Sequence, residues 1–494
     1  MKQGHKSGGA ASVKTFLSLI ENPLLRNAIS ISSKPCPVCG RSHLESALDE
    51  YVGHTVGQTH PTGRLASWFV LLAIRLGSRA FNIEESMMKE ALRTPYFRKG
   101  LLNVLNGIAQ YGVTKPQRLA APFLVVWNYT NACNLKCRHC YQNAEKPTAD
   151  ELTTKERLEV VDQLERDHVS SIAFSGGEPL MRADFFQVAE HAAQKGIYVS
   201  VATNGTLMTK QAVRKLKAAG VRYAEVSLDG ATAETHDTFR GVPGGFGRTV
   251  EGIKNLVEED VYTCIATTAT KYNLYEIPSI VELAKMLRVK RVIVFNFIPT
   301  GRGQAILDMD LSPAQRERLL EYLYGELVKG DVEALCTAPQ YARVCLQRSI
   351  AGNRERLTPT HFVSADLHGQ TRHLAEFIGG CGAGRMYCAI QPNGLVTPCV
   401  FMPITIGDLR SESLVSIWKR SGVLDDLSDR ERLKGKCGRC QYRYICGGCR
   451  ARAYAYYQDY LAPDPGCIRE LEESSLEFAR ERKAAMEATL PIKT

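Results

Sequence analysis

Three cysteines stand where chemistry is easiest to imagine. Cys133, Cys137 and Cys140, spaced C-x3-C-x2-C, follow a short apolar run that ends near Asn128. Three thiolates in one tight loop can hold three corners of an iron–sulfur cube. The fourth iron then keeps an open position, as catalytic metals do and structural ones do not. Taken alone, the string also fits a zinc knuckle completed by His139 or a distant ligand. Other polar clusters follow the next apolar runs. Ser175–Gly176–Gly177–Glu178–Pro179 pairs two glycines, which let a ligand approach the backbone closely, with a Glu178 that can receive an ammonium group. Thr203–Asn204–Gly205 and Ser227–Leu228–Asp229–Gly230 end two more such runs. A second set of eight cysteines lies near the C-terminus: Cys381, Cys388 and Cys399, then Cys437, Cys440, Cys446 and Cys449, then Cys467. Eight thiolates suffice to close two four-ligand sites. Zinc is one candidate for them, since C-x2-C pairs serve it well. The uneven x2, x5, x2 spacing favours clusters.

These groups need elements that bring them to one rim. Between residues 121 and 310, short β-branched or aromatic runs alternate with helical patterns. Strands are expected at 123–127, 171–174, 197–202, 223–228, 262–270 and 292–297. Helices are expected at 155–167, 185–195, 210–219, 249–259 and 276–287. Thr153-x-x-Glu156 reads as a capping box, and Ser312–Pro313 as the start of a seventh helix. Six βα units imply a parallel sheet with right-handed crossovers, a partial (β/α)6 barrel. The polar clusters then fall at the C-terminal strand ends, where barrel enzymes place their chemistry.

The chain has 494 residues, 44% hydrophobic and 23% charged. That composition suits a globular protein of several domains and excludes wholesale disorder. No apolar run reaches the ~18 residues of a spanning helix. Sixteen cysteines in a long chain without a signal peptide point to metal ligation in a reducing cytoplasm rather than disulfides. We divide the chain at 1–120, 121–310, 311–380 and 381–494. The first part reads as mainly helical, with helices at 65–76 and 83–111, the latter broken near Pro95 and Gly100. It carries +8 of the net charge of +10, which suggests an anionic partner or a peripheral membrane contact. Its Cys36 and Cys39, with His43, His54 or His60, form a candidate zinc site. Residues 311–380 read as a bridge, and 381–494 as a small cysteine-rich domain ending in a charged helix over 468–488.

The cysteine triad, the Gly176–Gly177–Glu178–Pro179 string and the polar strand ends over 123–310 together resemble the radical S-adenosylmethionine (radical SAM) superfamily. The C-terminal cysteines, with Gly394 four residues ahead of Pro398–Cys399, resemble its SPASM extension. The resemblance implies a [4Fe-4S] cluster on Cys133, Cys137 and Cys140, whose open iron chelates S-adenosylmethionine. One-electron cleavage then gives a 5′-deoxyadenosyl radical that abstracts hydrogen from substrate. It also implies Gly176, Gly177 and Glu178 at the methionine end, Ser227 and Asp229 near the ribose, Tyr141 near the adenine, Asn204 on the rim and Arg240 as a carboxylate partner. Two auxiliary [4Fe-4S] clusters make three in all. We expect Cys381, Cys388, Cys399 and Cys449 on the inner auxiliary cluster, and Cys437, Cys440, Cys446 and Cys467 on the outer one.

The function expected first is oxidation of a peptide or protein side chain, the commonest work of that branch, with a ferredoxin or flavodoxin as reductant. The second is modification of a tetrapyrrole of the haem pathway or another cofactor precursor, because Cys446–Gly–Gly–Cys449–Arg–Ala–Arg also resembles haem-pathway members. The third is modification of a membrane lipid. An iron–sulfur electron carrier is the non-enzyme alternative, and it leaves the Gly-Gly-Glu-Pro string without a purpose. No nucleic-acid partner is expected. No residue announces itself as a second hydrogen or proton donor.

Overall fold

The computed structural model describes residues 21–34, 41–54, 84–351 and 374–469, with most of 67–78. Cys36, Cys39 and His60 lie outside the described residues, as does nearly all of the expected C-terminal helix.

A ten-stranded sheet organises the chain, in the order β10-β9-β8-β1-β2-β3-β4-β5-β6-β7. Its parallel strands are β1 (Leu124–Thr130), β2 (Ser171–Gly176), β3 (Tyr198–Thr203), β4 (Val221–Ser227), β5 (Tyr262–Ala269), β6 (Arg291–Asn296) and β7 (Glu333–Cys336). Each ladder from β1 to β7 is parallel. The central strands are dominated by fully buried Val, Ile, Ala and Phe, as sheets covered on both faces require. Helices return the chain between them, including Thr154–Arg166, Phe185–Gln194, Lys210–Ala218, Gly245–Glu258 and Ile277–Met286. The capping boxes at Thr153/Glu156 and Ser312/Gln315 are both formed.

The sheet is larger than six βα units. The segment expected as a bridge supplies β7 and a helix at Gln340–Ala351. The cysteine-rich region supplies β8 (Tyr387–Ile390), which lies parallel to β1 with Leu124 opposite Tyr387 and Trp127 opposite Ile390. The antiparallel strands β9 (Leu395–Thr397) and β10 (Gly407–Asp408) complete that edge. The C-terminal region is therefore hydrogen-bonded directly to the first strand.

The N-terminal helices Pro23–Ser32, His43–Tyr51, Glu85–Arg93 and Pro95–Tyr111 build their own small core around Leu25, Ile29, Leu44, Leu48 and Leu102. They are docked on the barrel. Asn103 is buried, and its amide both donates to Ala121 O and accepts from Ala121 N. Lys99 pairs with Glu165 at 3.0 Å. Gly100 does not break its helix. A Cβ there would come within 2.6 Å of the Phe123 ring, so the glycine permits the close approach of helix and strand.

Candidate active site

The three cysteines occupy the loop after β1, and neighbouring segments hold that loop from several sides. At its start, Glu151 accepts from Asn131 N at 2.8 Å and from Thr130 Oγ1 at 3.0 Å. From β2, Gly177 N donates to Thr130 O and Glu178 N to Ala132 O, both at 2.7 Å. A Cβ on Gly177 would stand 2.1 Å from Ala132 O, and Gly176 has φ +107°. The close approach that the paired glycines allow is thus with the chain's own cysteine loop. From beyond β4, Lys136 N and Arg138 N donate to Arg240 O and Phe239 O. From beyond β6, Arg302 donates to Cys137 O and Ala144 O, each at 3.0 Å, and its own N–H to Cys140 O.

Most expected polar side chains are committed to partners within this frame. Glu178 is fully buried and accepts from Asn204 N at 2.9 Å, Thr203 Oγ1 at 3.0 Å and Leu180 N at 3.3 Å. Burial raises its carboxyl to about 7 despite these donors. Asn204 donates to Asn134 of the cysteine loop at 2.7 Å. Asp229, also fully buried, accepts from Thr268 N at 2.7 Å, pairs with Arg240 Nη2 at 2.6 Å and lies 3.4 Å from His139 Nε2. Burial would raise the Asp229 carboxyl, but the Arg240 guanidinium outweighs it and holds the group below its usual range. Arg240 Nη1 also reaches Cys137 Sγ at 3.7 Å. The Arg240 fork thus meets Asp229 and a cysteine through its two terminal nitrogens, while its Nε has no hydrogen-bond partner. Tyr141 donates to Asn128 Oδ1 at 2.9 Å and meets Ser175 Oγ at 3.1 Å. Ser227 stands half-buried at the end of β4.

Burial lowers the His139 imidazole to about 4, so it is neutral, stacked 4.3 Å from the Phe239 ring. Cys133 is raised to about 12, mainly by burial. A thiol so placed ionises when a metal takes the thiolate, not before. Sequence reasoning missed the supporting groups Asn128, Asn134, Glu151 and Arg302. Their signal is tertiary: single polar residues, Asn128 within β1 and the others beyond the strands, with no spacing that marks them.

The C-terminal cysteines form two sets. Cys437, Cys440, Cys446 and Cys467 line one cavity together with Arg343, Lys436 and Gln340. Cys381, Cys399 and Cys449 come together in a second, apolar cluster with Ile298, Ala383 and Met402. Cys388 does not join them. It is fully buried on β8, opposite Val125, within the main barrel core, and nothing but burial acts on its thiol. Alternation along the strand explains this. Tyr387, the residue before it, faces the three cysteines and donates to Cys399 Sγ at 2.9 Å. The expected placement of Cys388 on the inner set is therefore corrected. At ~2.3 Å per Zn–S bond, zinc would draw four sulfurs to one point, and no group of His, Cys, Asp and Glu among the described residues closes on a single-ion site. A cubane, each iron taking one thiolate, needs them spread around a cavity.

The charge around these sites fits an anionic group. Arg385, Arg430, Arg450 and Arg452 are all at least 98% buried. Arg430 and Arg385 donate to Cys381 O, at 2.7 and 3.4 Å. No carboxylate raises either one; burial lowers both, Arg385 to about 9. Cysteines of both sets, Cys381, Cys446 and Cys437, act on Arg430. Arg450 Nη2 reaches Cys437 Sγ at 3.7 Å. The buried Nε groups of Arg385 and Arg430 have no hydrogen-bond partner. Cations buried this way need a counter-charge, and cluster-bound thiolates would supply it.

The comparisons agree with this donor chemistry. The Radical SAM superfamily model matches residues 127–299, and the SPASM iron–sulfur cluster-binding domain model matches 381–441. The chain is 41% identical over 350 residues to the AdoMet-dependent heme synthase of Methanosarcina barkeri, spanning 70% of this chain and 97% of that one. It is 32% identical over 375 residues to the mycofactocin maturase MftC of Mycobacterium tuberculosis, spanning 74% and 87%. Among solved structures, Streptococcus suis SuiB bound to its precursor peptide SuiA shares the fold, with a TM-score of 0.60, 18% identity and coverage of 86% and 92%.

Proposed function

We propose that this chain, which belongs to the radical SAM superfamily and carries its SPASM domain, abstracts hydrogen from a side chain of a porphyrin in haem synthesis. It is an enzyme of the radical SAM/SPASM class; the porphyrin substrate is our reading. The observation that carries it is the 41% identity that runs through 97% of a heme synthase. This favours the cofactor-precursor alternative over the peptide substrate expected first.

When bound, the cluster and S-adenosylmethionine supply a 5′-deoxyadenosyl radical. The residues of this chain do the rest. Cys133, Cys137 and Cys140 would hold the cluster. Arg240 and Asp229 fix Cys137, and Glu178, Thr203 and Asn204 lock the ends of β2 and β3 to the cysteine loop. The carbonyl edge of Gly176–Gly177 and the Ser227 hydroxyl are the expected contacts for S-adenosylmethionine. Tyr141, Asp229 and Arg240 act by positioning. Cys437, Cys440, Cys446 and Cys467 would hold an outer auxiliary cluster, and Cys381, Cys399 and Cys449 an inner one, to carry electrons between the substrate and a ferredoxin or flavodoxin.

The test uses reconstituted protein, reductant, S-adenosylmethionine and iron-coproporphyrin III deuterated in its side chains. Deuterium in 5′-deoxyadenosine and a mass change in the porphyrin are expected. If 5′-deoxyadenosine forms only at the uncoupled rate and carries no deuterium, the porphyrin reading falls. A peptide substrate is the second reading, favoured by the likeness to MftC.

A further inference from the structure

The end of the barrel opposite the cysteine loop holds a cavity of about 540 Å³. It is lined at the starts of β4, β5 and β6 by Val221, Val261 and Lys290. The seven residues of β4 separate it from the rim that carries the cysteine loop, a distance of roughly 20 Å. Tyr96 forms one wall. It comes from the N-terminal helix Pro95–Tyr111, and its ring meets that of Tyr198 on β3 edge-on at 5.0 Å. The cavity therefore lies in the seam between the N-terminal helices and the barrel, and such seams are where ligand pockets concentrate. Its volume suits a small molecule rather than a single ion.

Four cations line this cavity, Lys217, Arg222, Arg288 and Lys290, against one carboxylate, Asp260. Cations just outside it have partners. Arg214 meets Glu259 at 2.7 Å, Lys285 meets Glu326 at 2.9 Å and Arg291 meets Glu333 at 2.6 Å, so those carboxylates are taken. Among the described residues, Arg222, Arg288 and Lys290 meet no carboxylate within ion-pair distance, and Arg222 and Arg288 make no side-chain hydrogen bond. The negative end of a helix accounts for only one of the four. Lys217 donates to Glu259 O at 2.6 Å, at the end of the helix Gly245–Glu258. Arg222 lies inside β4 and Lys290 directly before β6, both beyond the last turn of a helix. Arg288 follows the helix Ile277–Met286 with φ +56°, a left-handed conformation that glycine adopts most easily. Gly220 takes the same position after the helix Lys210–Ala218, with φ +80°. The chain thus keeps a guanidinium at the cavity where a glycine would suffice.

We propose that this cavity is a second binding site, remote from the cysteine loop, for a small polyanion with two or more phosphate or carboxylate groups. Arg222 and Arg288 supply planar forks that hold such groups by paired hydrogen bonds, and Lys217 and Lys290 supply point charges. Tyr96 brings the N-terminal helices into the same cavity, so an occupant ties them to the barrel. The inference rests neither on the porphyrin reading nor on the clusters.

The test is calorimetric titration of the full, reconstituted chain at about 0.15 M salt, with pyrophosphate in one arm and citrate in the other. Saturable binding at one site per chain is expected in at least one arm, and the arm that binds tighter tells phosphate from carboxylate. The double variant Arg222→Ala/Arg288→Ala should weaken that binding by roughly tenfold or more. The double variant Lys155→Ala/Lys419→Ala removes the same charge from exposed positions elsewhere and should stay within about twofold of the wild type, since charges beyond a Debye length are screened. Uncoupled formation of 5′-deoxyadenosine should be the same in all three proteins. No saturable binding of either anion by the wild type overturns the proposal. So does unchanged affinity in Arg222→Ala/Arg288→Ala, or an equal loss in Lys155→Ala/Lys419→Ala. Failure of the radical reading is read separately, as absence of 5′-deoxyadenosine from the wild-type enzyme.

Discussion

Gly177→Ala tests whether the glycine pair serves the cysteine loop. The added Cβ would lie 2.1 Å from Ala132 O and 2.8 Å from Ala132 C. Ordinary contact needs about 3.5 Å, so the loop must retreat by roughly 1 Å. Ala132 adjoins Cys133, and the retreat also stretches the 2.7 Å bonds from Gly177 N to Thr130 O and from Glu178 N to Ala132 O. Each such bond contributes ~0.5–1.5 kcal/mol, so the loss of stability is about 1–3 kcal/mol. The larger consequence is geometric. A displacement of ~1 Å at a reacting centre lowers rate by about 10²-fold. Reductive cleavage of S-adenosylmethionine, followed as 5′-deoxyadenosine, should fall by that order, while auxiliary iron stays bound. Gly247→Ala is the control. It sits in the helix Gly245–Glu258 with nothing within 4 Å of the new Cβ, and should be neutral or stabilise by up to ~1 kcal/mol. Wild-type cleavage by Gly177→Ala would refute the reasoning.

Three further outcomes follow from the same geometry. Glu178 is raised to about 7 by burial, from an ordinary value of 4.5. The folded chain therefore binds more protons than the unfolded one between those values, and stability should fall by up to about 3 kcal/mol as pH rises through that window; denaturant midpoints at pH 5 and 8 should differ in the wild type and converge in Glu178→Gln, and equal slopes in the two proteins would sink the idea. Asp229→Asn leaves Arg240 buried without the carboxylate that meets it at 2.6 Å, so it should cost ~3–5 kcal/mol, and a change in urea stability below 1 kcal/mol would contradict the pairing. Arg430→Met removes a buried cation whose Nη2 meets Cys381 O at 2.7 Å; potentiometry should show an auxiliary cluster shifted down by roughly 50–100 mV, about 1–2 kcal/mol per electron, and an unmoved potential would remove Arg430 from the electrostatic account.

The barrel from β1 to β6 was legible because its strands are continuous apolar runs that end in polar clusters, and its helices have caps and long periods. The strand β7 was not: four residues, Glu333–Cys336, are too few to show a period. Nor was the pairing of β8 with β1, since a parallel partner more than 250 residues away leaves no local mark. The radical-site cysteines were legible from their spacing together with the polar clusters that follow the next strands. Cys388 misled because spacing fixes distance along the chain, whereas a strand sends alternate residues to opposite faces. The six-residue gap after Cys381 says nothing of that alternation. The glycines and carboxylates at the strand ends were legible as residues that could meet a ligand; that Glu178, Asp229 and Arg240 also brace the cysteine loop was not legible.

The buried arginines connect fold and chemistry in the C-terminal region. A protein that buries Arg385 and Arg430 with no carboxylate against them carries a penalty of several kcal/mol per ion. Arg452 differs, because Asp310 pairs with it and Asp464 lies 3.8 Å away. The first two make sense only beside an anion that backbone carbonyls such as Cys381 O do not provide. On the proposed reading, thiolates bound to iron would be that anion, present only with the cluster. Cluster loading and folding of residues 381–469 would then be one equilibrium. The apolar wall around Cys381, Cys399 and Cys449 strengthens the coupling, since an unpaired guanidinium is most costly where water is excluded. Because β8 from this region is also the neighbour of β1, loss of the auxiliary clusters should reach the strand that launches the radical-site loop, through the ladder from Leu124 to Trp127. The two halves of the molecule are bound directly by backbone hydrogen bonds between β1 and β8.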